Sequence, residues 1–482
     1  MALDWKTLLC ETRIREAEGG RASTPLEEDG RSHFDRDHDR TVFSTPFRRL
    51  QDKTQVFPLE PNDAVRTRLT HSMEVSTLAR GLARGAARWM LRERHLESNQ
   101  QAMDIEAIAT TCGLLHDLGN PPFGHAGEEA ISSWFKKNFG EKGQGLYPGA
   151  EMASARGGQL RNDFLLFEGN AQTLRIVSRL QLLADSYGLN LTVGTLSASM
   201  KYTAASDETS DHGPADKKKP GYFASEQDKV DLIRSLTGTG TARNPIAYLV
   251  EACDDMVYAT VDIEDGVKKG LVSWEEVEAF LKEHDSSGMA ETVLKSVHRY
   301  IDGSDTPLEG RARDEALAQH FRTVAIGDAK REILKAFQEH YERLMQGEVL
   351  AQGDLIGSSG AARLIKVCKR FGGERVYNAP ETLRLETLGR RVIHGLMDIF
   401  WEGARECPLP MDPDIDARKN FNRRPEGKVY NLLSRNYRTA FESACRRSSL
   451  PPRYHRFQLV TDYVCGMTDT FACSLHEQLT HG

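Results

Sequence analysis

The sequence predicts a mainly α fold, and three observations predict it. Apolar residues recur at helical spacing along most of the chain, no series of alternating β-branched strands is present, and no internal repeat of solenoid length occurs. In chain order, residues 19–45 are polar and charged and interrupt the helical pattern. Val75, Leu78 and Leu82 then follow i, i+3, i+7, as do Ile105, Ile108 and Cys112. Residues 139–163 carry Gly140, Gly143, Gly145, Gly149, Gly157 and Gly158 and read as a long loop. A helical pattern covers about 170–187. Residues 204–221 (AASDETSDHGPADKKKPG) are poor in apolar side chains and read as disordered, or ordered only by a ligand. Asn244-Pro245 supplies an N-cap and first-turn pair for a helix running past Asp262. Further helical patterns span 312–347, 384–404, 427–446 and 456–479.

None of the interruptions separates compositionally distinct halves, so the chain reads as one helical body with long loop insertions. It divides into a polar N-terminal segment (1–45), a core holding the unusual polar residues (46–270) and a helical C-terminal region (271–482). The 482 residues are enough to bury a core without disulfides or a structural metal. Lys+Arg 63 against Asp+Glu 70 gives a net charge of −7, which argues against a general nucleic-acid coat but permits a local basic patch. Apolar runs fall far short of the ~20 residues of a spanning helix, so no membrane partner is expected. The N-terminus lacks a basic-then-apolar export layout. Eight scattered cysteines without a CxxC pair argue against a zinc ribbon or a disulfide framework, and fit a reducing cytoplasm.

Polar residues at apolar positions mark the candidate chemistry. His116-Asp117 ends an apolar helix and is followed by Gly119 and a Pro-Pro break, which leaves an open face beside two lone-pair donors. His71 shares the stripe of Val75 and Leu78, and Asp254 lies between Val250 and Val257. A lone core histidine is commonly just hydrogen-bonded, but a core-facing carboxylate needs a partner or a metal. Together the anomalies suggest one site of two imidazoles and two carboxylates. That donor set suits a divalent cation, Mg or Mn first, with Co, Fe or Ni possible, rather than a sulfur-bound zinc.

RLTHSMEV (68–75), LLHDLGNPPFGHAGEEA (114–130) and EACDDMVYATVDIEDGV (251–267), in this order, resemble the HD-superfamily deoxynucleoside triphosphate triphosphohydrolases, in particular the bacterial dGTPase branch. FRRLQDKTQVF (47–57), FEGNAQTLRI (167–176), GLNLTVGTL (188–196), GYFASE (221–226) and DYVCGMTDTFA (462–472) extend the likeness over most of the chain. The resemblance implies an HD-domain helical core over 46–270 and metal-dependent cleavage of dNTP to deoxynucleoside and tripolyphosphate. It assigns the cation to His71, His116, Asp117 and Asp254, choosing Asp254 over its neighbour Asp255. It places proton transfer at His125, oriented by Glu128, a pair whose i, i+3 spacing lets both face one side of a helix. Without it, these two read as an exposed first-turn pair.

The resemblance further implies that Tyr258 and Asp262 read the sugar, the Asp accepting from the 3′-hydroxyl and the Tyr crowding the 2′ position, with Gln55 a third sugar contact. Arg68, one helical turn before His71, is the leading candidate for phosphate, and Lys201, Tyr202 and Lys219 resemble family phosphate contacts. Among Lys217, Lys218 and Lys219 the sequence does not choose. A homo-oligomer, hexamer or tetramer, is implied, with Leu459, Tyr463 and Met467 of the 456–479 helix near an interface. The basic, aromatic-containing stretch CRRSSLPPRYHRF (445–457) is a candidate for single-stranded DNA, although solvated charge is the commoner meaning. The rival readings are another HD nucleotide phosphohydrolase or a low-turnover nucleotide or single-stranded DNA sensor.

Overall fold

The computed structural model describes residues 2–22, 30–59, 65–139, 157–180, 185–303, 307–411 and 415–480. Among them are 22 α-helices and two short strands, as the apolar spacing predicts. Helix Pro245–Lys269 forms the axis of the fold. Asn244 caps it by accepting the Ile246 N–H at 3.0 Å, Pro245 opens its first turn, and Gly270 closes it in the left-handed conformation. Nearly every face of it is buried, so its buried polar residues must find partners or ligands. Helix Arg68–Arg92 packs against it, with Val75, Ala79, Leu82, Ala83 and Ala86 buried in the shared core. Asn99–Leu115 packs along both, and Gly310–Met345 and Ala362–Phe371 cover the other side.

A second core joins helix Gly124–Phe139 to Pro380–Glu406 and Pro452–Cys465, with Trp134, Phe135, Phe400 and Phe457 at its centre. A third gathers Leu114, Leu115 and Leu118 with Leu174, Val177, Leu191 and Ile233. Cys112 belongs to the first core, Leu114 to the third and Phe123 to the second. The segment between them, which carries His116-Asp117, therefore sits where three cores meet. No helix among the described residues is long and apolar enough to cross a membrane.

Several expectations are corrected. Within 19–45, residues His33–Val42 form a helix with a Ser32/Asp35 capping box, and Asp37 of that helix holds the buried Arg13 at 2.7 Å. The long loop over 139–163 gives way at its end to helix Gly157–Leu165, while 140–156 lie outside the described residues. Among the described residues, the 170–187 pattern is helical over Gly169–Arg179, and 181–184 lie outside them. The 427–446 pattern is two helices, Pro425–Leu432 and Arg435–Arg447, and 456–479 is Pro452–Cys465 and Asp469–Thr480.

Segment 204–221 is folded by the protein itself. Ala204–Ala205 pairs in parallel with Pro220–Tyr222, and two buried carboxylates hold the ends. Asp163 accepts from the Ser206 hydroxyl at 2.6 Å and the Ala224 N–H at 2.7 Å, and Asp216 from the Thr203 hydroxyl at 3.0 Å. Leu459 and Met467 are buried in the chain's own second core, and Tyr463 meets Phe400 edge to face at 4.8 Å. The apolar series is thus used within the chain and does not form an outward face. In the 445–457 stretch, Tyr454, His455 and Phe457 are buried and Arg456 donates to the carbonyls of Arg405 and Cys407, so its aromatics offer nothing for bases to stack on.

Candidate active site and metal centre

His71 lies one turn inside helix Arg68–Arg92, on its buried stripe, and is 1% exposed. Its Nε2 stands 3.1 Å from Asp254 Oδ1. His116 is the C-cap of Asn99–Leu115; its Nδ1 donates to the Gly113 carbonyl at 2.8 Å, which fixes the ring and turns Nε2 inward. That Nε2 is 3.4 Å from Asp117 Oδ2 and 3.5 Å from Asp254 Oδ1, with no hydrogen bond to either. Donor atoms of His71, His116 and Asp117 all lie within 4.8 Å of one another. His71, His116 and Asp117 thus form one cluster, and Asp254 meets it through its contacts with both histidines.

The chemistry of these donors fits a divalent cation. His116 Nε2 is buried and unpartnered, which is costly unless a ligand is bound. Burial alone would lower His116, yet the Asp117 and Asp254 carboxylates push it up to about 9. Burial opposes ionisation of Asp254, but His116, His71 and Lys201 hold its carboxyl well below the usual range. The cluster thus favours added positive charge in its centre. Arg68 donates to Asp117 Oδ2 at 2.8 Å and Asn120 Nδ2 to Asp117 Oδ1 at 2.5 Å, orienting this carboxylate from behind.

His125 and Glu128 stand in the first turns of helix Gly124–Phe139, reached through Phe123 (φ 64°) and Gly124 (φ 58°), two consecutive left-handed residues. Glu128 is buried, accepts the Gly169 N–H at 2.9 Å through Oε1 and holds His125 Nδ1 at 2.9 Å through Oε2. The His125 side chain is 73% exposed, leaving Nε2 free at the mouth. The Glu128 hydrogen bond raises the His125 pKa against the opposing effect of burial. Glycines allow the two halves of the site to meet. A Cβ on Gly119 would stand 2.1 Å from the Gly169 carbonyl, and one on Gly169 would stand 2.1 Å from Asn120 Oδ1 and 2.7 Å from Glu128 Oε1.

One pocket of about 510 Å³ is lined by His71, His116, Asp117, Asp254, His125 and Glu128. Gln55, Arg68, Lys201, Tyr202, Lys219 and Tyr258 line it as well. Gln55 Oε1 is buried there without a partner. Lys201 Nζ lies 3.7 Å from Glu251 and 3.8 Å from Asp254, and these acids raise its pKa against burial. Lys219 lines the pocket, whereas Lys217 and Lys218 do not; it pairs with Glu168 at 2.9 Å. Asp255 turns away from the quartet to Lys369, at 2.8 Å.

Asp262 departs from expectation. It is 2% exposed, accepts from the Tyr377 hydroxyl and does not reach the pocket wall; Tyr377 lines the wall in its place, its ring 5.9 Å from that of Tyr258. Sequence reasoning missed Tyr377, Glu168 and Asn120. For Glu168 and Asn120 the signal was there, since both fall within the recognised motifs FEGNAQTLRI and LLHDLGNPPFGHAGEEA.

The HD domain family matches residues 68–187, the span bearing His71, His116 and Asp117. Over 99% of both chains the protein is 35% identical to a deoxyguanosinetriphosphate triphosphohydrolase-like protein of Listeria monocytogenes. It is 33% identical to one of Pseudomonas aeruginosa, again over 99% of each. With a deoxyguanosinetriphosphate triphosphohydrolase of Yersinia enterocolitica it shares 32% identity, over 92% of this chain and 93% of the relative. Likeness at this level along the full length, with the metal-capable quartet in place, makes the chain a member of the HD-domain deoxyguanosinetriphosphate triphosphohydrolase family.

Proposed function

We propose that the chain hydrolyses deoxynucleoside triphosphates, dGTP first among them, to deoxynucleoside and tripolyphosphate. The observation that carries this reading is that the His71, His116 and Asp117 cluster, Asp254 and the His125–Glu128 pair all line one pocket. The names of the full-length relatives supply the substrate class. His71, His116, Asp117 and Asp254 would hold a divalent cation, Mg or Mn by donor type, which supplies charge neutralisation at the α-phosphoryl group. Arg68, Lys201 and Lys219 bind phosphoryl oxygens, drawing on side chains that already line the pocket. Water adds to the α-phosphorus, the bond to the 5′-oxygen breaks, and that oxygen takes a proton. With Nδ1 tied to Glu128, His125 Nε2 is the atom placed to move a proton in this step.

We assign sugar selection to the Tyr258–Tyr377 wall, with Asp262 fixing the Tyr377 hydroxyl. A ribose 2′-hydroxyl is excluded by crowding against these rings. The domain division, a homo-oligomer of four or six chains and a cytoplasmic setting complete the proposal; eight free thiols suit the last. The test is to incubate purified protein with each dNTP and with GTP, in Mg and in Mn, and assay inorganic tripolyphosphate. Tripolyphosphate from dGTP but not GTP supports the reading. Release of orthophosphate or pyrophosphate instead would assign the chain to another HD phosphohydrolase chemistry.

A further inference from the structure

The segment 462–472, distant in sequence from the site, touches two parts of the pocket rim at once. Asp469 opens helix Asp469–Thr480 and is 2% exposed. Its Oδ2 accepts the Thr54 backbone N–H at 3.0 Å and also the Thr54 hydroxyl, and its Oδ1 accepts the Phe123 backbone N–H at 2.9 Å. Both carboxylate oxygens are thus used on remote backbone, and Thr54 and Phe123 both line the pocket. Thr54 precedes Gln55 and forms an antiparallel bridge with Thr67, the cap of the helix bearing Arg68 and His71. Phe123 is left-handed, a conformation that a bulky residue holds only when its surroundings impose it. The Phe123-Gly124 turn sets the direction of the helix that carries His125.

An adjacent contact acts in the same sense. Lys53, buried, donates through Nζ to the carbonyls of Asn120 and, at 2.9 Å, Cys465, tying the same C-terminal segment to the residue that orients Asp117. We infer that Asp469 is a positioning residue for the reaction: one carboxylate that fixes the Gln55 rim and the His125 turn relative to each other. The inference rests on the dNTP hydrolase reading above.

Asp469→Asn tests it, because an amide keeps only one accepting oxygen. Whichever way it turns, either Thr54 or Phe123 faces an NH2 group. The expected result is a folded protein whose kcat on dGTP falls on the order of 10- to 100-fold, the scale of a misplaced reacting group. Backbone amides around Thr54 and Phe123 should exchange with deuterium faster, while those of helix Pro245–Lys269 do not change. The kcat penalty should also shrink in a Phe123→Gly background, since glycine adopts positive φ unaided. Wild-type kcat and KM in folded Asp469→Asn would overturn the inference, whatever the exchange shows. If that variant does not fold, Thr54→Val removes one of the three bonds; a several-fold change in KM or kcat supports the inference and wild-type kinetics overturns it. Wild-type protein that releases no tripolyphosphate from any dNTP defeats the functional reading instead. Deuterium exchange alone then judges the clamp, and unchanged exchange at Thr54 and Phe123 overturns it.

Discussion

The metal-capable centre and the outer rim of the pocket are built differently. The centre takes its side chains from two long helices and the C-terminal end of a third, with His71 and Asp117 buried and His116 and Asp254 partly so. The rim takes Gln55, Lys219 and His125 from short connections and a first turn, with His125 largely in solvent and Lys219 about half exposed. Rigid helices fix donor geometry before any ligand arrives, so the centre should respond to substitution in an all-or-none way. Lys219 and His125 are each held by one contact, to Glu168 and to Glu128, so their contributions should be graded and separable.

The strongest challenge to that contrast is His116→Ala or Asp117→Ala. Each should abolish metal retention and activity together, beyond the roughly 10- to 100-fold cost of losing an outer-shell partner. Metal analysis of the purified variants beside their turnover decides it, and full occupancy with full activity would end the distinction. Next in size is His125→Ala, which should keep its metal and lose roughly 10²-fold in kcat. An unchanged kcat would take His125 out of the mechanism.

Smaller again is a pair within the lysine run. Lys219→Ala should raise KM for dGTP about 10-fold, the loss of one charge-assisted contact. Lys218→Ala, exposed and off the pocket wall, should leave it unchanged. Equal KM values for the two would mean that the rim does not discriminate among its cations. The finest effect is on pH. Glu128 raises the His125 pKa through its hydrogen bond, so an imidazolium needed for turnover persists to higher pH and is lost as pH rises through that value. Glu128→Gln should therefore move the alkaline limb of kcat/KM to lower pH, and a limb that stays in place would exclude His125 as the titrating acid.

The same contrast explains what could be read in advance. His71, Asp254 and His116-Asp117 were legible because a polar side chain on an apolar helical stripe is visible within one or two turns of sequence. The Asn244-Pro245 cap was legible for the same local reason. Tyr377 was not, since it reaches Asp262 across 115 residues and no periodicity spans that distance. The order of 204–221 was hidden for a related reason: its composition is that of a solvated loop, and the carboxylate of Asp163 that secures it lies on another helix. The splitting of the 427–446 and 456–479 patterns shows that apolar spacing passes through short breaks, at Leu433-Ser434 and at Gly466 to Thr468, without losing register.

The backbone contact between Gly119 and Gly169 has a consequence for how the protein can be altered. Neither position has room for a single methyl group, and the atoms in the way are main chain or the very side chains that seat Asp117 and His125. A chain displaced on one side of this seam must displace the other, so metal binding and proton transfer are geared together with no slack. Laboratory evolution toward new nucleotides should accordingly leave the seam untouched and accumulate its changes at the rim, where lysines and loops can move without turning the gears.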